Sequence, residues 1–143
     1  TDRVIFAAHV PFDEHVARHR LADLALDVPG FGGFNTNAIA LWCGVPLLTT
    51  PAAGYASRVG TAVMRACNMA DAVAKDMDDY VKRAVAWCTD PDELGKLKAA
   101  ATRARDSALF DGAGTTARVE KAWSEIVERA AAGQPPSSVT VKG

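Results

Sequence analysis

The chain has 143 residues, 49% hydrophobic and 23% charged, the balance of a soluble folded domain and not of a disordered segment. Sixteen Lys and Arg against seventeen Asp and Glu leave a formal net charge of −1, which offers no field for gripping a polyanion and sets nucleic-acid binding aside. Three widely spaced cysteines (Cys43, Cys67, Cys88) exclude a disulfide scaffold and a CxxC metal knuckle, so a reduced, cytoplasmic chain is expected. The stretch from Val28 to Ser57 is uncharged, yet Gly30, Gly32, Gly33, Pro46, Pro51 and Gly54 interrupt it. A membrane span needs about 20 continuous apolar residues, so none is expected, and no secretory leader is recognisable. The opening Thr-Asp-Arg, without an initiator Met, reads as the start of a piece of a longer polypeptide.

Val4–Ala8 is a continuous apolar run with two β-branched residues, which predicts a strand covered on both faces, closed by Pro11. Asp13 is placed to cap a helix through His15, Val16 and Leu21. A second strand is expected over Asp23–Val28, ended by Pro29-Gly30. The glycine loop that follows leads into a helix over Asn35–Cys43, with Gly44 suited to a left-handed cap. Val45–Thr50 is the third strand, stopped by Pro51. Val59, Ala62, Val63, Ala66 and Cys67 fall on one face of the next helix. A short fourth strand is placed around Ala72-Val73-Ala74. Such alternation predicts an α/β fold with a Rossmann-like parallel sheet flanked by helices.

The second half turns helical. Met77, Tyr80, Val81, Ala84, Val85 and Cys88 share a helical face. Thr89-Asp90-Pro91 ends that helix and starts another, with proline at a favoured first-turn position. Leu94, Leu97, Ala101, Ala104 and Ala108 give it a narrow apolar face. Val119, Ala122, Trp123, Ile126, Val127 and Ala130 mark the last helix, which Gly133 stops. The α/β part is thus expected over 1–76, the helical part over 77–133, and a flexible tail over 134–143.

Little in these residues specifies a reaction. His15 and His19 are four apart on one helix, as two zinc ligands would be, but Val16 stands where a metalloprotease needs Glu and no third ligand is near. No metal is expected. The three cysteines have no base at a telling spacing and are read as lying on apolar helix faces. Asp13, Asp23 and Asp27 bracket the strand ends where α/β sheets bind ligands, although capping and turn formation explain Asp13 equally well. The loop Pro29-Gly30-Phe31-Gly32-Gly33-Phe34-Asn35-Thr36 follows a strand and opens a helix, a place where free N–H groups and the helix dipole face an anion. It misses G-x-G-x-x-G at Asn35 and has no Walker lysine, which disfavours a nicotinamide enzyme.

Several stretches taken together resemble the O-linked N-acetylglucosamine transferase family, the tetratricopeptide-repeat-linked enzymes of plants and bacteria among them. They are Arg3-Val4-Ile5-Phe6; Glu14-His15-Val16 with Arg18; Leu21-Ala22-Asp23 and Leu26-Asp27; Leu41-Trp42 with Gly44, Pro46, Thr49 and Pro51; and Ala56-Ser57-Arg58-Val59. Leu109-Phe110 before the last helix is similar to the family's C-terminal end. The resemblance implies the C-terminal lobe of a GT-B glycosyltransferase over 1–133, moving a sugar from a UDP-sugar to protein Ser/Thr hydroxyls. It places the main chain near Val10, with His15 and Arg18, around the uridine, and Phe34-Asn35-Thr36 at the diphosphate turn. It implies no cofactor, the UDP-sugar being the donor substrate. The acceptor-binding lobe, the repeats and the diphosphate lysine would lie elsewhere in a parent chain, so this fragment carries no catalytic residue and is expected to be inactive alone.

Departures from the family fall where the ligand should sit. Phe12 replaces a lysine, Phe34-Asn35-Thr36 replaces His-Thr-Thr, Ile39 replaces the ribose-binding aspartate, and Ala52-Ala53-Gly54 replaces Gly-Glu-Thr. Exchanging a carboxylate for isoleucine removes a charge-assisted hydrogen bond, typically about 1.5–3 kcal/mol. Donor binding is expected to be weak or lost, unless the changes mark a different donor. The alternative from the same residues is a non-catalytic α/β module serving protein association.

Overall fold

The computed structural model describes residues 2–141; Thr1 and the last two residues of the expected tail lie outside the described residues. Its helices are α1 (Phe12–His19), α2 (Asn35–Trp42), α3 (Tyr55–Ala66), α4 (Met77–Thr89), α5 (Pro91–Arg103) and α6 (Gly112–Ala131), around strands β1 (Ala25–Leu26) and β2 (Leu47–Leu48). Single 3-10 turns lie at Ala70–Ala72 and Ala104–Asp106.

β1 and β2 pair in parallel, Ala25 opposite Leu47 and Leu26 opposite Leu48. The Ala25 N–H donates to the Pro46 carbonyl at 2.8 Å and the Asp27 N–H to the Leu48 carbonyl at 2.9 Å. A third extended segment joins on the other side of β2 through a parallel bridge between Thr49 and Val73, where the Ala74 N–H donates to the Thr49 carbonyl at 2.8 Å. The fourth strand read around Ala72–Ala74 is therefore a single rung. β2 is central and dry: Leu47 and Leu48 are 1% and 0% exposed, as its unbroken apolar run requires.

The sheet is smaller than the sequence suggests. Val4–Ala8 is no strand; it runs unpaired, with Ile5 at 87% and Phe6 at 93% exposure. A β-rich run becomes a strand only where a neighbouring edge accepts its backbone, and among the described residues none reaches it. The ladder also takes only two residues each of the expected strands Asp23–Val28 and Val45–Thr50.

The core is built where α2, α3 and α4 close over β2. Leu41, Val63, Met64, Cys67, Tyr80, Trp87 and Ala101 join Leu47 and Leu48 in one buried cluster that runs through both halves of the chain. Each large apolar side chain buried this way contributes about 1.5–3 kcal/mol.

Helix ends follow local chemistry. Gly44 takes φ +78° after α2 and Gly133 takes φ +68° after α6, both left-handed as glycine allows. The carboxylates of Asp76, Asp90 and Asp111 accept first-turn N–H groups of α4, α5 and α6, and Pro91 opens α5. Asp13 is not a cap: Pro11 holds that position and Asp13 lies in the first turn of α1, where its charge faces the positive end of the helix dipole. Cys88, expected on an apolar face, is exposed. α6 buries no residue, leaving Val119, Trp123, Ile126 and Val127 exposed. The segment after Gly133 lies back along α6, where the Arg129 guanidinium donates to the Ser137 hydroxyl at 2.6 Å.

Candidate functional site

The residues singled out in the sequence fall at two places. Val10, Phe12, His15 and Arg18 line an open cavity of about 500 Å³ with His9 and Pro11. α1 positions them: His15 and Arg18 are one turn apart, and the Arg18 guanidinium donates to His15 Nδ1 at 2.9 Å and to the Ala8 carbonyl at 2.8 Å. Because Nδ1 accepts from a permanent cation, the neutral imidazole carries its proton on Nε2. Partial burial, then the nearby His19, Arg18 and His9 charges, hold His15 below the ordinary histidine pKa. His15 and His19 meet ring edge to face at 4.5 Å, and His19 Nδ1 donates to the His15 carbonyl at 2.7 Å. Among the described residues, no group of three or more His, Cys, Asp or Glu could hold a metal ion.

The second place is the start of α2. Phe34, Asn35 and Thr36 are exposed, and Phe34 gives the helix no side-chain cap. The first N–H groups of an α-helix lack intrahelical acceptors, so this end presents them to whatever lies in front. Phe34 also lines a groove of about 460 Å³ along α3, with Tyr55, Arg58, Val59 and Leu109. The structure thus brings Val10, His15 and Arg18 together, while Phe34 lines a different concavity. Ile39 is half-buried, and Ala52, Ala53 and Gly54 are exposed. The Gly54 carbonyl accepts the Ser57 hydroxyl at 2.7 Å before α3.

The glycine loop does not offer its N–H groups as expected. Gly33 donates to Asp27 Oδ1 at 2.9 Å, and Gly32 donates to the Ala56 carbonyl at 3.0 Å. The loop does wrap a carboxylate, but it is the protein's own. Asp27 was legible only as one of several strand-end acids, because its importance depends on contacts across 53 positions to Tyr80 and 22 to Thr49. Arg58 was likewise visible only as part of a motif, and Tyr55 was missed; their place in the wall of a groove depends on packing.

The pattern of glycosyl transferase family 41 matches residues 1–119. The chain belongs to this family. It is 35% identical over 139 residues to the Caenorhabditis elegans UDP-N-acetylglucosamine–peptide N-acetylglucosaminyltransferase, covering 96% of this chain and 12% of that protein. It is 28% identical over 142 residues to the Arabidopsis thaliana protein SEC, covering 98% of this chain and 14% of that one. A solved mutant of the Thermobaculum terrenum O-GlcNAc transferase superposes with a TM-score of 0.79 at 27% identity, over 85% of this chain and 24% of that chain. This family 41 chain therefore has the fold of part of a GT-B C-terminal lobe, and it spans only 12% to 14% of these two relatives. Among the described residues no helix is long and apolar enough to cross a membrane.

Proposed function

We propose that this chain is the donor-binding part of a family 41 glycosyltransferase, which moves a sugar, N-acetylglucosamine by its relatives' names, from a UDP-sugar to protein Ser/Thr hydroxyls. The observation that carries this reading is the convergence of Val10, His15 and Arg18 on one open cavity. Uridine would lie there, with the diphosphate before the uncapped start of α2 at Asn35 and Thr36. The acceptor protein would be held by other parts of a parent chain that include tetratricopeptide repeats. Transfer needs donor and acceptor fixed together in near-attack geometry, so the isolated chain transfers no sugar. Its exposed thiol at Cys88 and two further free cysteines suit the reducing cytoplasm.

Phe12, Phe34 and Ile39 neither neutralise phosphate nor accept from ribose hydroxyls, so UDP binding is expected at about millimolar Kd. Titration of the isotope-labelled chain with UDP, followed by amide resonances, tests this. Shifts at His15, Arg18, Asn35 and Thr36 are the expected result, and Ile39→Asp should tighten binding. Shifts confined to other residues, or none, overturn the reading. A second reading is favoured by the exposed Val119, Trp123, Ile126 and Val127 of α6: a non-catalytic module with a degenerate donor site, serving protein association.

A further inference from the structure

Asp27 stands at the exit of β1 with its polar atoms turned inward, and it is 6% exposed. Oδ1 accepts from the Gly33 N–H at 2.9 Å and the Val28 N–H at 3.0 Å, and Oδ2 accepts from the Thr49 hydroxyl at 2.7 Å. Its carbonyl accepts the Tyr80 hydroxyl of α4 at 2.9 Å, and its N–H continues the ladder to Leu48. Burial, then the Asp27 charge, push the Tyr80 phenol above its ordinary pKa. Among the described residues no ion pair reaches Asp27, so neutral donors hold the carboxylate. Two glycines leave room for it: a Cβ on Gly32 would lie 2.9 Å from Oδ2, and one on Gly60 would collide with Oδ2 and the Thr49 hydroxyl.

Gly33 lies two residues before α2, and no side chain caps that helix. Among the described residues, the bond from Gly33 to Asp27 is the hydrogen bond to the sheet that lies nearest the helix start. We infer that Asp27 is a positioning residue for the donor: it anchors the glycine loop to both strands and so fixes the direction of the Asn35 and Thr36 N–H groups. This rests on the reading that the diphosphate lies at the start of α2. A loop released from its anchor has to be ordered again on binding, and that ordering is subtracted from affinity.

The experiment is a UDP titration of the labelled chain and four variants, read at the Asn35 and Thr36 amides, with hydrogen exchange of the Gly33 amide and thermal unfolding. Asp27→Asn should weaken UDP binding about tenfold and speed Gly33 exchange, and Thr49→Val should weaken it about threefold, as expected for lost hydrogen bonds to a charged acceptor. Thr49→Ser keeps the hydroxyl and should restore affinity. Trp87→Phe trims a buried core side chain of α4 that makes no hydrogen bond to Asp27 or the loop; it should lower the Tm and leave UDP affinity unchanged. Should Asp27→Asn not fold, the Thr49→Val and Thr49→Ser pair decides. Affinity within about twofold of the unmodified chain in Asp27→Asn and Thr49→Val, or an equal loss in Trp87→Phe, overturns the inference alone. No shift at Asn35 or Thr36 in the unmodified chain overturns it together with the donor-site reading.

Discussion

The two halves of the molecule treat their helix N-termini differently. α4, α5 and α6 each open on an aspartate whose carboxylate accepts first-turn N–H groups. α1, α2 and α3 open on Pro11, Phe34 and Gly54, none of which supplies a side-chain cap. The helical half is thus locally self-sufficient at its helix starts, and the α/β half depends on packing, with open helix ends beside its two concavities. A second contrast crosses the first. α2, α3 and α4 feed the buried core, whereas α6, the longest helix among the described residues, buries nothing.

Both contrasts can be broken by measurement. Leu48→Ala should have the largest effect, because Leu48 is fully buried on the central strand; a loss of about 2–5 kcal/mol by urea unfolding is expected. Asp90→Ala should cost about 1 kcal/mol, since the Asp90 carboxylate accepts from both the Asp92 and Glu93 N–H groups at 3.0 Å. Phe34→Ser should change stability by no more than about 0.5 kcal/mol, because the helical backbone at Phe34 (φ −97°, ψ −67°) does not aim a hydroxyl at the first-turn N–H groups of α2; a larger loss would show that Phe34 packs and does not merely leave the end open.

A smaller effect is expected from His15. Its pKa is held below the ordinary value of 6.5, so the folded state keeps it neutral where the unfolded chain already binds a proton. That contribution is complete above pH 6.5 and is lost as pH falls through the lowered pKa. Unfolding curves across this window should fall less steeply with acid in His15→Gln than in the unmodified chain. Val127→Ser should change stability by no more than about 0.5 kcal/mol, as expected for an exposed site without buried contacts. A larger loss in the isolated chain would mean that the α6 face is already covered in solution.

Much of the fold was legible from residue patterns. Gly44, Asp90-Pro91 and Gly133 marked helix ends because caps depend on residues within a turn of one another. The dry central strand followed from the unbroken apolar run around Leu47 and Leu48. Val4–Ala8 misled for the same reason that it attracted attention: apolar, β-branched residues favour a strand only beside an edge that can accept them. The exposed face of α6 carries the same periodicity as a buried one, and periodicity alone does not say what lies opposite.

For the candidate site the division is sharper. The sequence alone determined that His15 and His19 stand four apart on one helix and that a glycine loop leads into α2. Only the tertiary structure decided that the Arg18 guanidinium reaches back to the Ala8 carbonyl, and that Gly33 spends its N–H on Asp27 and not on a ligand. The reason is distance along the chain. A cap or a helical face is settled by neighbours within four residues, whereas Asp27 is defined by Gly33, Thr49 and Tyr80, which meet only when two strands and two helices have closed around it.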